Sequence, residues 1–221
     1  MRREQQQFVT VKNIRATHAA RATDIRRRLA EFQDVWREGS DERLWEELVF
    51  CIFTAGASAR MGLRSIEAVR ALLAEGAHME LANALSGVHR YPNARSGYIV
   101  VTREYLHEDC HMHLRERLSN FADPLARRDW LARERRIKGL GYKEASHYLR
   151  NIGFGGYAIL DKHILRSLAE LGVLASPAPP TTRARYLAIE AELRRFAERL
   201  AIDFDELDLV LWSMKTGEIL K

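Results

Sequence analysis

Apolar residues recur along most of the chain at the three- and four-residue spacing that lines one face of an α-helix. No stretch alternates with the period of two that marks a half-buried strand. The spacing predicts helices from Val11 to Trp36, Asp41 to Ala55, Ser58 to Leu73, Met79 to Ser86, Asn93 to Leu106 and Leu114 to Phe121. Further helices are expected from Pro124 to Arg136, Lys143 to Ile152, Asp161 to Leu171, Thr182 to Ala201 and Asp205 to Lys215. Ser40-Asp41, Asp123-Pro124 and Thr181-Thr182 supply short polar side chains where three of them start. Ser176-Pro177-Ala178-Pro179-Pro180 cannot continue a helix and reads as a short stiff linker. The fold class is all-α, in two helical lobes. A central lobe is expected over residues 44–130, with residues 1–43 and 131–221 forming the second.

The stretch Ile137-Lys138-Gly139-Leu140-Gly141-Tyr142-Lys143 departs from helical periodicity. Two glycines flank one apolar residue between a helix end and a helix start. Glycine admits positive φ and close backbone approach, and the amides of the following helix then face outward, where a phosphate oxygen can accept from them. This is the pattern of a helix-hairpin-helix over residues 131–152, with Gly139, Gly141 and Tyr142 as candidate contacts to a DNA backbone. A glycine-capped helical turn without a ligand fits the same residues.

Asp161 follows eighteen residues after Lys143, beyond Gly153-Phe154-Gly155-Gly156-Tyr157 and the apolar Ala158-Ile159-Leu160. It opens a helix, so an N-cap role is the plain reading. A cap is held rigidly and is favoured as the anion by the helix dipole, which suits a catalytic carboxylate equally well.

Composition changes the picture only in places. The 221 residues are 47% hydrophobic and 29% charged, an ordinary globular balance with enough chain to bury a core unaided. Net charge is +5 and the isoelectric point near 9.4, which favours a polyanionic partner. Of the 35 basic residues 29 are arginine and 6 lysine, so charge alone does not explain a lysine. Cys51 and Cys110 are too few for a four-thiolate cluster. No apolar run is long enough to cross a membrane, and the first residues lack the apolar core of a signal peptide. A cytoplasmic, nucleoid-associated protein without metal, cofactor or obligatory protein partner is expected.

With the hairpin glycines, Lys143 and the glycine-rich loop ending in Asp161, the chain resembles the helix-hairpin-helix–Gly/Pro–Asp superfamily of DNA glycosylases. No proline precedes Asp161, a departure from that signature. Residues 136–166 and 205–221 are similar to the archaeal-type 8-oxoguanine DNA glycosylase/AP lyase class. The resemblance implies two helical lobes flanking a DNA-binding cleft and a substrate of double-stranded DNA carrying a damaged base.

The chemistry accounts for the residue types. A departing base leaves sugar C1′ electron-deficient, and a fixed carboxylate such as Asp161 stabilises that charge. An unprotonated Lys143 amine can then attack C1′ and form a Schiff base, which permits elimination of the 3′ phosphate.

An extruded base needs stacking faces and polar edges. His147, one turn after Lys143, lines that pocket or sits in the core. Asp208 and Trp212 share a face of the last helix, Asp208 offering an acceptor and Trp212 a ring, though Trp212 also suits the core. In the resembled class the terminal lysine reaches the base, and Lys221 matches it. Tyr91 is a candidate second stacking wall or an ordinary turn residue. The His107–His113 segment is rich in metal-ligand types without a zinc-like spacing and reads as solvated, as does Arg26-Arg27-Arg28. Two alternatives stay open: a non-catalytic helix-hairpin-helix module, and a glycosylase of the same fold for another oxidised base.

Overall fold

The expected helices form within residues 8–219, which this computed structural model describes. The described residues form eleven α-helices and no strand: α1 (Val11–Glu38), α2 (Asp41–Thr54), α3 (Ala59–Val69), α4 (His78–Leu85), α5 (Pro92–Cys110), α6 (Leu114–Ser119), α7 (Pro124–Arg133), α8 (Tyr142–Asn151), α9 (Lys162–Glu170), α10 (Arg183–Leu200) and α11 (Phe204–Thr216). The polar starts act as caps. Ser40 accepts from the Arg43 amide at 3.3 Å, Asp123 from Leu125 and Ala126 at 3.0 and 3.2 Å, and Thr182 from Arg185 at 3.2 Å. Each satisfies amides that the helix itself leaves unpaired.

Some boundaries differ from the sequence pattern. After Val69 the chain tightens into a 3-10 turn, Arg70–Leu72, instead of continuing as one helix. α5 runs a further turn through His107 to Cys110 and closes on His111 and Met112, both with positive φ. The His107–His113 segment is therefore half helix, and among the described residues no three His, Cys, Asp or Glu side chains are grouped to hold a metal. No described helix is long and apolar enough to cross a membrane.

Contacts gather the described chain into two compact units, residues 32–154 and residues 8–31 with 155–219. These divisions fall at other positions than the expected 44–130 lobe, and the hairpin belongs with the central residues.

In the unit of residues 32–154, α2 is buried on nearly all sides from Leu44 onward and is packed by α3, α5, α6 and α8. Leu48, Val49, Phe50, Ile52 and Phe53 are fully enclosed, each side chain contributing about 1.5–3 kcal/mol by leaving water. Buried arginines satisfy loop carbonyls. Arg103 of α5 donates to Leu73 O at 3.3 Å and Gly76 O at 2.9 Å, where α3 has ended. Arg128 of α7, fully buried, donates to Ser146 Oγ of α8 at 3.3 Å and ties the two arms of the hairpin together.

In the other unit α11 packs on α9 and α10 over Leu165, Leu168, Ile189, Leu193, Leu207 and Val210. Glu206 of α11 receives His18 Nε2 and Arg26 Nε, each at 2.6 Å. Arg26 is thus an anchor within this unit, whereas Arg27 and Arg28 pair with their helix neighbours Asp24 and Glu31. Lys215 of α11, its side chain almost enclosed, meets Glu170 of α9 at 2.8 Å.

Candidate active site

The hairpin is a turn between α7 and α8 whose shape needs its first glycine. Gly139 has φ +79°, and a Cβ there would lie 2.8 Å from the Tyr98 ring of α5. Ile137 and Leu140 are buried and hold the turn down, while the Lys138 amide donates to Thr102 Oγ1 of α5 at 2.9 Å. Gly141 caps α8 without a side chain of its own. Its amide donates to Glu144 Oε2 at 3.2 Å, one half of a capping box. The Tyr142 hydroxyl donates to Asp129 Oδ1 of α7 at 2.9 Å.

Lys143 therefore stands in the first turn of α8, partly buried, with Nζ 2.7 Å from Glu144 Oε1. Cys51 of α2 lies behind this turn, fully buried, and burial pushes its thiol well above the usual range, with the charge of Glu47 adding to the effect and Lys143 opposing it. The thiol is a neutral, space-filling group.

In the other unit, residues 156–160 approach α9 in irregular backbone held largely by side chains. The Gly156 amide donates to both Asp205 oxygens at 2.9 and 3.1 Å, and Arg194 Nη2 donates to Gly156 O at 2.8 Å. A side chain on Gly155 would put its Cβ 2.5 Å from Asp205 Oδ2. The Ala158 amide donates to Glu190 Oε2 at 2.8 Å. The Tyr186 hydroxyl donates to Ala158 O at 2.6 Å and accepts from the Leu160 amide at 3.3 Å. This bracing fixes the approach to Asp161 although no proline restrains it. Asp161 then caps α9, Oδ1 accepting from His163 and Ile164 at 2.8 and 2.9 Å. Neither bond uses Oδ2. Burial pushes the adjacent His163 imidazole below its usual range, an effect that Asp161 partly opposes.

A family model for 8-oxoguanine DNA glycosylase matches residues 25–202. The chain is 44% identical to the 8-oxoguanine DNA glycosylase/AP lyase of Korarchaeum cryptofilum over 198 residues, 89% of this chain and 90% of that protein. It belongs to the 8-oxoguanine DNA glycosylase family. The family's enzyme from Fusobacterium nucleatum is 36% identical, with 90% and 92% of the two chains covered. Among solved structures, the Methanocaldococcus jannaschii 8-oxoguanine glycosylase/lyase in complex with a 15mer DNA containing 8-oxoguanine superposes with a TM-score of 0.86 at 34% identity, covering 96% of this chain and 99% of that one. The Thermotoga maritima 8-oxoguanine DNA glycosylase gives the same TM-score and identity over 96% and 98%.

In this family member the remaining candidates fall as follows. His147 is buried on α8, its ring edge-on to Phe50 with centroids 5.7 Å apart. Asp208 is buried in α11 and Trp212, one turn on, is half-buried. Tyr91 caps α5 and is 47% exposed, with Arg90 4.7 Å from its ring centroid. His89 holds that corner in place. Its Nε2 lies 3.1 Å from Phe53 O and its Nδ1 accepts from the Tyr91 amide at 3.0 Å, so the proton sits on Nε2. Burial pushes His89 below the usual imidazole range and keeps it neutral. Lys221 lies outside the described residues.

Residues that the sequence reading passed over do much of the positioning: Glu144 beside the lysine, and Tyr186, Glu190, Arg194 and Asp205 around the approach to Asp161. Glu144, three residues after Gly141, carried a local sign as the third residue of a helix. The other four lie 26 to 49 residues from their partners and carry no local sign.

Proposed function

We propose that this chain is a bifunctional DNA glycosylase/AP lyase that excises 8-oxoguanine from duplex DNA, with Lys143 as nucleophile and Asp161 as the carboxylate facing the sugar. The observation that carries the activity is the 44% identity to an 8-oxoguanine DNA glycosylase/AP lyase across nine-tenths of both chains. The likeness to a relative holding DNA with 8-oxoguanine supports the same substrate.

Local geometry supports the roles assigned to the hairpin, Lys143 and Asp161. The Gly139–Gly141 turn and the first amides of α8 suit a phosphate, which the dipole of α8 also favours. Lys143, two residues beyond, stays partly exposed on a rigid turn and is able to reach a sugar gripped by its flanking phosphate. Asp161 is immobilised by two amide bonds through Oδ1, and Oδ2 is the atom offered to the positive charge growing at C1′. Asp208 and Trp212 on one face of α11 are assigned to the base, with His147 and Tyr91 as further walls and Lys221 as a contact from the chain's end. No cofactor or metal enters the reaction, and the protein works in the cytoplasm beside the nucleoid.

The test is a panel of duplexes bearing 8-oxoguanine, an oxidised pyrimidine or no lesion, with base release and strand cleavage followed separately. Release and cleavage at 8-oxoguanine support the reading. Tight binding with no release makes the chain a DNA-gripping module, and preference for the oxidised pyrimidine reassigns the substrate.

A further inference from the structure

We propose that Glu144 is the proton relay for Schiff-base formation at Lys143, an inference that rests on Lys143 being the nucleophile. The proton inventory of the step calls for such a group. Lys143 and Glu144 form an ion pair, Nζ to Oε1 2.7 Å, and the ammonium carries three protons. A protonated Schiff base keeps one. Two protons must leave the nitrogen, and the oxygen of the abasic-sugar aldehyde must take up two to depart as water.

Glu144 Oε1 stands at the reacting nitrogen and balances this sequence. The carboxylate takes the first proton, leaving a neutral amine whose lone pair adds to C1′. The carboxylic acid gives that proton to the aldehyde oxygen as the C1′–N bond forms. The nitrogen, now positively charged, returns a second proton to Glu144, which passes it to the hydroxyl on C1′ as the C1′–O bond breaks. Ammonium and aldehyde become protonated Schiff base and water, and Glu144 ends as it began. No co-reactant is needed.

Geometry suits the role beyond proximity. Glu144 Oε2 accepts from the Gly141 amide at 3.2 Å, so the hairpin that grips the phosphate also fixes the relay carboxylate. The side chain is 14% exposed against 26% for Lys143, which leaves it little freedom to swing away. A glutamine at this position still accepts from the Gly141 amide but cannot take the lysine proton, so the cap and the relay are separable.

The experiment uses the full chain and a duplex carrying a preformed abasic site, with the rate of borohydride-trappable adduct as readout. Glu144→Gln is expected to slow trapping at least tenfold, more than it slows release of 8-oxoguanine from a lesion duplex, so the two rates part. Glu144→Ala is expected to regain trapping in proportion to added formate, a rescue that a purely structural role would not show. Trapping by Glu144→Gln at the wild-type rate, or an Ala variant that stays folded by circular dichroism and ignores formate, overturns the relay. Wild-type protein that gives no adduct, or whose adduct survives Lys143→Gln, overturns the underlying assignment of Lys143 instead, so the two failures are distinct.

Discussion

The ring of Tyr98 occupies the space that a side chain on Gly139 would need, 2.8 Å from where its Cβ would stand. The hairpin is therefore shaped from outside by α5 as well as from within by its φ of +79°. Gly139→Ala adds left-handed backbone strain of about 1–3 kcal/mol and a steric conflict with Tyr98. Affinity for duplex DNA, read by fluorescence anisotropy, is expected to fall about tenfold or more, and adding Tyr98→Ala recovers only the steric part.

Tyr186 reads the approach to Asp161 in the same way. Tyr186→Phe leaves the Ala158 carbonyl and the Leu160 amide without the hydroxyl between them, at a cost of about 2 kcal/mol or more in stability. Because Asp161 then drifts from its set position, single-turnover base release is expected to fall about tenfold to a hundredfold while duplex affinity changes much less. Equal losses in both would show that the hydroxyl supports the fold alone.

Asp161→Asn separates capping from chemistry. Asparagine caps a helix as well as aspartate does, so the thermal midpoint is expected to stay within about 3 °C of the parent. Base release collapses, since the anion at the sugar is gone, and duplex binding persists. Turnover near the wild-type rate would remove Asp161 from the mechanism.

Glu206 is expected to contribute to the acid sensitivity of the fold. Burial pushes its carboxyl upward, but the bonds from Arg26 and His18 outweigh this and hold it below the ordinary range. A carboxyl lowered in the folded chain adds stability above its unfolded value of about 4.3, and that stability is lost as pH falls through the lower folded value. Glu206→Gln is expected to lower the thermal midpoint by about 3–10 °C at pH 7, with the gap to wild type closing below about pH 4. A gap independent of pH would mean packing, not charge, is lost.

Much of this is legible in the sequence. Ser40, Asp123 and Thr182 start helices because a short polar side chain answers a need that lies two or three residues away. The hairpin shows itself for the same reason, since Gly139 and Gly141 answer local backbone demands. The pairing of Lys143 with Glu144 was hidden because neighbouring helix positions point in different directions, yet two long side chains at a helix start still meet. Tyr186, Glu190 and Asp205 serve backbone groups far away in sequence, which no local pattern encodes. The division of α1 between the two units is invisible for a related reason: Glu31 and Phe32 fall on opposite sides of it within one unbroken helix.

The proposed chemistry turns on a covalent bond between Lys143 and the sugar. Its most direct test is borohydride trapping on a duplex containing 8-oxoguanine, followed by gel shift of the protein–DNA adduct. The wild-type chain is expected to give a stable adduct and Lys143→Gln none. An adduct undiminished in Lys143→Gln, or wild-type base release with nothing trapped, would contradict it.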